Sequence, residues 1–190
     1  MACGFHFFSF PDLIKSHSKR KKFIMQHTFH YHSNGSLLLT GEYLVSKGSQ
    51  AIVLPLKKGQ TLVVKPISEN YLIWESVYNQ ETLFKTCFST DTIHTLETTD
   101  GEEARFVHFV LKNAMEHLPS LAALPGHSVK AIHNHRAYLD PGSQSALIAN
   151  IAEWFNINHF RLNRDLRQNI DYCIACAKSH RTILYKKHGK

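Results

Sequence analysis

The chain has 190 residues, 43 % of them hydrophobic and 19 % charged, with 9 Gly and 6 Pro: enough to bury a core and too balanced for a collagen-like or low-complexity polymer. Four unevenly spaced cysteines (Cys3, Cys87, Cys173 and Cys176) argue against a disulfide framework and for a reducing compartment, the cytoplasm. The net charge of +7 sits at the ends, with +4 on residues 1–26, +5 on residues 178–190 and −2 on the body, so each end reads as a solvated tail before it reads as a nucleic-acid arm.

Residues 1–26 show neither alternation nor a helical stripe, and their basic cluster follows the apolar stretch, the reverse of a secretory signal. They read as a basic extension ahead of one domain over 27–190. No apolar run reaches the ~18 residues that crossing a bilayer takes. From Thr28, runs of Leu, Val, Ile and Tyr are broken at Asn34-Gly35, Lys47-Gly48 and Lys58-Gly59, which reads as strands joined by turns. Tyr71–Tyr78 and Thr82–Phe88 continue as strands connected through Asn79-Gln80. The period changes at Asp100: Val107, Val110, Leu111, Ala114 and Leu118 share one helical face, Asp100 with Glu103 marks the start, and Pro119 follows the end. A strand over 127–136, a loop LDPGSQ, and a helix over 145–155 that is apolar almost all round come next. A third helix over roughly 159–169 precedes an apolar DYCIACA and a strand-like TILY. This order predicts an α+β fold with an antiparallel-rich sheet packed with helices, without regular βαβ alternation.

Candidate chemistry is concentrated in a few places. The DPGSQS loop (Asp140–Ser145) ahead of a buried helix offers backbone N–H groups and a helix dipole to a phosphate, although Ser and Asp at a helix start also serve as caps. Glu42 stands in an apolar, strand-like run after Gly41, where a carboxylate binds a metal or a substrate hydroxyl, or simply faces solvent. The lone Cys173-x-x-Cys176 lacks the second ligand pair a structural zinc wants and reads as two small, partly buried residues. His30 with His32, and His133 with His135, share a strand face but have no third ligand at a fixed spacing.

Three stretches together resemble the galactokinase, homoserine kinase, mevalonate kinase and phosphomevalonate kinase superfamily, the GHMP kinases, closest to a bacterial mevalonate-kinase-like branch. They are SNGSLLLTGEYLVSKGSQAIVLPLKKGQTL (33–62), DPGSQSALIANIAEWF (140–155) and DYCIACAKSHRTILY (171–185), and the likeness spans about residues 27–187. The resemblance implies the N-terminal domain of such a kinase, a fold shared in part with a ribosomal protein domain. It also implies ATP and Mg2+ as cofactors and phosphoryl transfer to a hydroxyl or phosphate of a mevalonate-like small molecule.

By the same resemblance Gly142, Ser143, Gln144 and Ser145 correspond to the phosphate-wrapping loop, with Ser143 the magnesium-placing hydroxyl, and Glu42 assists magnesium or substrate. Ser36 stands where the family carries lysine, Asp140 replaces a glycine and Gln144 a serine. Aligning IACA puts Cys173 at the family's catalytic aspartate, leaving Asp171 as the replacement base. These departures imply a kinase activity weakened or lost. The chain ends soon after TILY, where the resemblance implies a second domain completing the cleft. A binding or interaction protein, with a homodimer or another partner covering the exposed domain face, is therefore an alternative. An RNA-binding module is a more distant one.

Overall fold

The computed structural model describes residues 27–41, 44–118, 124–134, 141–167 and 169–187. The extension 1–26, Glu42 with Tyr43, and 135–140 with Asp140 and His135 lie outside the described residues. Among the described residues seven strands form one sheet: β1 (Phe29–Thr40), β2 (Gln50–Pro66), β3 (Tyr71–Tyr78), β4 (Glu81–Ser89), β5 (Thr95–Thr98), β6 (His127–His133) and β7 (Ile183–Lys186). Four α-helices among the same residues accompany them: α1 (Gly101–Met115), α2 (Pro141–Trp154), α3 (His159–Asp165) and α4 (Asp171–Ala177). The strand order is β1-β2-β6-β3-β4-β5, with β7 paired to the first part of β2. Every pairing is antiparallel except β3 with β6. The expected α+β, antiparallel-rich architecture is what forms.

Local chemistry accounts for several boundaries. Asp100 caps α1, its carboxylate accepting from the N–H groups of Glu102 (2.9 Å) and Glu103 (3.2 Å). Val107, Val110, Leu111 and Ala114 are buried as the stripe predicts. Asn79 and Gln80 form the two-residue β3–β4 connection, both with positive φ (47° and 68°) and between the paired Tyr78 and Glu81.

Several expectations are corrected. Asn34-Gly35 and Lys58-Gly59 are not turns: they lie inside β1 and β2, where the register slips between Asn34 and Gly35. A Cβ on Gly59 would stand 2.1 Å from the Ser33 carbonyl oxygen and one on Gly35 2.6 Å from that of Lys58, so the glycines let two backbones press together at an irregular rung. The segment read as a loop before Ser145 is already helical, because α2 starts at Pro141, a residue well suited to a first helical turn. The apolar segment 171–177 forms α4. The strand after residue 127 stops at His133, and α3 stops at Asp165.

The core lies between the sheet and the helices. Trp74, Phe88, Leu62, Leu72, Leu111, Ile148, Ile151, Leu162 and Ile174 are fully enclosed. Removing each such side chain from water contributes roughly 1.5–3 kcal/mol, so α2, buried from Ser145 to Ala152, is held chiefly by packing. Among the described residues no helix is long and apolar enough to cross a membrane.

Candidate active site

Two helices deliver the sequence-predicted groups to one end of the molecule. At the level of Ser33 on β1, the Ser33 hydroxyl donates to Asn150 Oδ1 of α2 (2.7 Å), and Asn34 Nδ2 donates to the carbonyl of Ser179, just past α4 (2.7 Å). Also at these C-terminal ends, Lys178 pairs with Glu153 of α2 and donates to the His32 carbonyl (2.6 Å). From this level α2 runs back to Gly142, eight residues and about 12 Å at 1.5 Å per residue, and α4 runs back to Asp171 over about 10 Å. Trp154 at the end of α2 packs edge-on against His127, which pairs with Pro66 beyond the Phe29 end of β1, and Tyr172 at the start of α4 meets Tyr185, which pairs with Ala51 near the Thr40 end, so both first turns lie toward Thr40.

Gly142, Ser143 and Ser145 are buried at the start of α2, and Gln144 is half-buried. The first N–H groups of an α-helix have no carbonyl within the helix to bond, and Pro141 has no N–H at all. Gly142 brings no side chain, and the first turn carries no acidic residue. These features fit an anion at the helix's positive end. The Ser145 hydroxyl donates to the Gly142 carbonyl (2.8 Å), so it braces the turn from within. Ser143 is almost fully enclosed, at 2 % exposure.

Asp171 opens α4 and lines a shallow cleft with Val45, Asn169, Tyr172, Tyr185 and Lys187. Its Oδ1 accepts from Asn163 Nδ2 (2.7 Å) and its Oδ2 faces Lys187 Nζ (3.1 Å). Asn163 is fully buried and fixes the carboxylate from the α3 side. Cys173 is buried two residues along the same helix, about 200° around it, and does not line this cleft. Asp171 and Cys173 therefore stand on different faces of α4, and the cleft carboxylate is Asp171. Cys176 is buried as well, and burial with the neighbouring Cys173 pushes its thiol up to about 11, the mark of an inert cysteine.

Asn163 and Lys187 were not singled out by any motif. The detectable signal for α4 was the spacing of Cys173, Ile174, Cys176 and Ala177, a helical pattern in which Asp171 takes the first turn. His30 and His32 lie exposed on β1, and His32 Nδ1 meets Thr61 Oγ1 at 3.0 Å. Among the described residues no group of three or more His, Cys, Asp or Glu is arranged around a metal position.

No family model matches the sequence, and no curated protein does. Solved structures match the fold. The mevalonate kinase of Methanococcus jannaschii superposes with a TM-score of 0.52 at 13 % identity, over 77 % of this chain and 48 % of that one. The galactokinase of Lactococcus lactis, crystallised with galactose, gives 0.53 at 15 % identity, over 80 % and 39 %. The Lin0012 protein of Listeria innocua gives 0.60 at 18 % identity, over 84 % and 48 %. The chain thus has the fold of a GHMP-kinase N-terminal domain. It spans less than half the length of each of these three structures.

Proposed function

We propose that this chain is a GHMP-type small-molecule kinase domain, whose chemistry is transfer of a phosphoryl group from ATP to a hydroxyl of a mevalonate-like metabolite, weakened by its own substitutions. The observation that carries this reading is that the α2 first turn and Asp171 both lie toward the Thr40 end of β1, in a fold similar to that of mevalonate kinase. Bound MgATP would supply the phosphoryl group. Gly142, Ser143 and Gln144 would hold its phosphates through the first-turn amides, with the Ser143 hydroxyl toward magnesium. Asp171 would take the proton of the acceptor hydroxyl, which must come within about 3 Å of it.

The weakening has a geometric basis. Asp171 Oδ1 accepts from Asn163 and Oδ2 faces Lys187, so an acceptor hydroxyl would share Oδ2 with the ammonium group through its remaining lone pair. Ser36 brings no charge to the position where such kinases carry lysine, which removes one source of electrostatic stabilisation for a transferring phosphoryl group. Calorimetry with MgATP tests the reading. Measurable binding that Gly142→Asp abolishes supports it, and absence of heat with the native chain overturns it.

One observation favours the interaction reading. Leu37, Leu39, Ile52, Leu56 and Leu184 are exposed together where β1, β2 and β7 meet, Leu184 at 65 %. Such clustering is more than isolated surface leucines present and suits a second copy or another polypeptide. Light scattering that finds a monomer at all accessible concentrations counts against self-association. A dimer dissociated by Leu184→Lys supports it.

A further inference from the structure

The middle of α2 carries a polar contact that packing alone does not call for. The helix is lined by Ala146, Leu147, Ile148, Ala149, Ile151 and Ala152, all buried. Apolar contacts of this kind are non-directional, and they distinguish poorly between the observed seating and one slid along the helix axis by a 5.4 Å turn. Asn150 is the exception. It is fully enclosed, accepts from the Ser33 hydroxyl (2.7 Å) and donates through Nδ2 to the Gln60 carbonyl (3.1 Å).

Ser33 and Gln60 face each other across β1 and β2, and Gln60 in turn faces His133 across β2 and β6, with Gln60 Nε2 and His133 Nε2 at 3.4 Å. These partners form one buried polar rung across three strands, at the place where Gly59 lets β1 and β2 close together. The rung also includes the last residue of β6, the strand that precedes α2 in the chain. Directed bonds from one side chain to two strands fix both the axial position and the rotation of the helix.

We propose that Asn150 is a positioning residue: it pins α2 to the sheet and so sets where the first turn, with Gly142, Ser143 and Gln144, stands at the candidate phosphate site. The consequence for ligand binding rests on the kinase reading above, whereas the pinning itself does not. Asn150 touches no part of that site. It acts through roughly two turns of helix, and Leu in its place keeps the branched shape of the side chain while removing direction.

The test combines Asn150→Leu with residue-resolved amide hydrogen exchange in the absence of ligand, followed by MgATP calorimetry. Exchange in residues 143–147 is expected to accelerate about tenfold while the β3–β4 amides keep native rates, and MgATP affinity is expected to fall about tenfold, the scale of one lost hydrogen bond. Exchange that rises uniformly across the molecule, or not at all, overturns the pin. Should Asn150→Leu fail to fold, Ser33→Ala removes one of the two bonds and is judged by the same local pattern. Failure of the native chain to bind MgATP refutes the kinase reading, and the exchange pattern still decides the role of Asn150.

Discussion

Lys187 Nζ, one residue beyond the last strand, stands 3.1 Å from Oδ2 of Asp171, the residue that opens α4. The contact ties β7 to α4 and covers the only carboxylate among the described residues that line the cleft. Asp171→Asn keeps the hydrogen-bonding shape but cannot take a proton. Phosphoryl transfer should fall by about 10²–10⁴, the usual contribution of a positioned base, with MgATP-dependent thermal stabilisation retained. A steady-state assay showing full turnover would remove Asp171 from the mechanism.

Glu103 is buried in the first turn of α1, and burial, reinforced by the neighbouring Asp100 and Glu102 carboxylates, pushes its carboxyl up to about 7. The folded chain therefore holds this proton at pH values where the unfolded chain has released it. The associated stability is complete at low pH and is lost as pH rises from the ordinary carboxylate range through 7, on the order of 2–3 kcal/mol at most. Glu103→Gln should flatten this part of the profile and raise the melting temperature at pH 8 relative to the native chain. Denaturant titrations between pH 5 and pH 8 check both points.

Gln80 occupies the second position of the β3–β4 connection with φ of 68°, a left-handed conformation that glycine adopts without cost. Gln80→Gly should stabilise the protein by about 1 kcal/mol, the scale of the left-handed penalty for a residue with a Cβ. Equal or lower stability in urea would show that the side chain contributes something the turn geometry does not reveal.

Gly59→Ala should have the opposite sign. The new methyl meets backbone on its partner strand, at 2.1 Å from the Ser33 oxygen and 2.9 Å from the Asn34 Cα, where no side chain can move aside. A loss of about 1–3 kcal/mol or more follows from overpacking at such a site. Thermal melts comparable to the native protein would contradict the close approach of β1 and β2.

What the sequence made legible was what local chemistry decides. Asp100 at a cap, the stripe from Val107 to Ala114, and Asn79-Gln80 between two alternating runs each determine structure within a few residues. The bend at Gly35 and Gly59 escaped because a glycine that admits a neighbouring backbone is written like one that makes a turn. The helical character of 171–177 escaped because Tyr, Cys and Ile suit a strand equally well until packing against α2 and β1 selects the helix. For the candidate site, Gly142 to Ser145 and Asp171 were visible as residue types. Their convergence was not, since it depends on Asn34, Ser33 and Lys178 meeting partners more than 100 positions away.

β2 begins against β7 and ends against β6, so Gln50 waits for Lys186 and Pro66 for His127. A ribosome must therefore deliver nearly the whole described chain before the edge of its longest strand that faces away from β1 is covered, and pairings this distant in sequence are slow to form. The β3–β4 hairpin is available from the outset as a local nucleus, while Lys187 reaches Asp171 at the close. The carboxylate contact of Asp171 is consequently unmade until β7 docks, and half-made chains present the second edge of β2 to whatever else in the cell can add a strand.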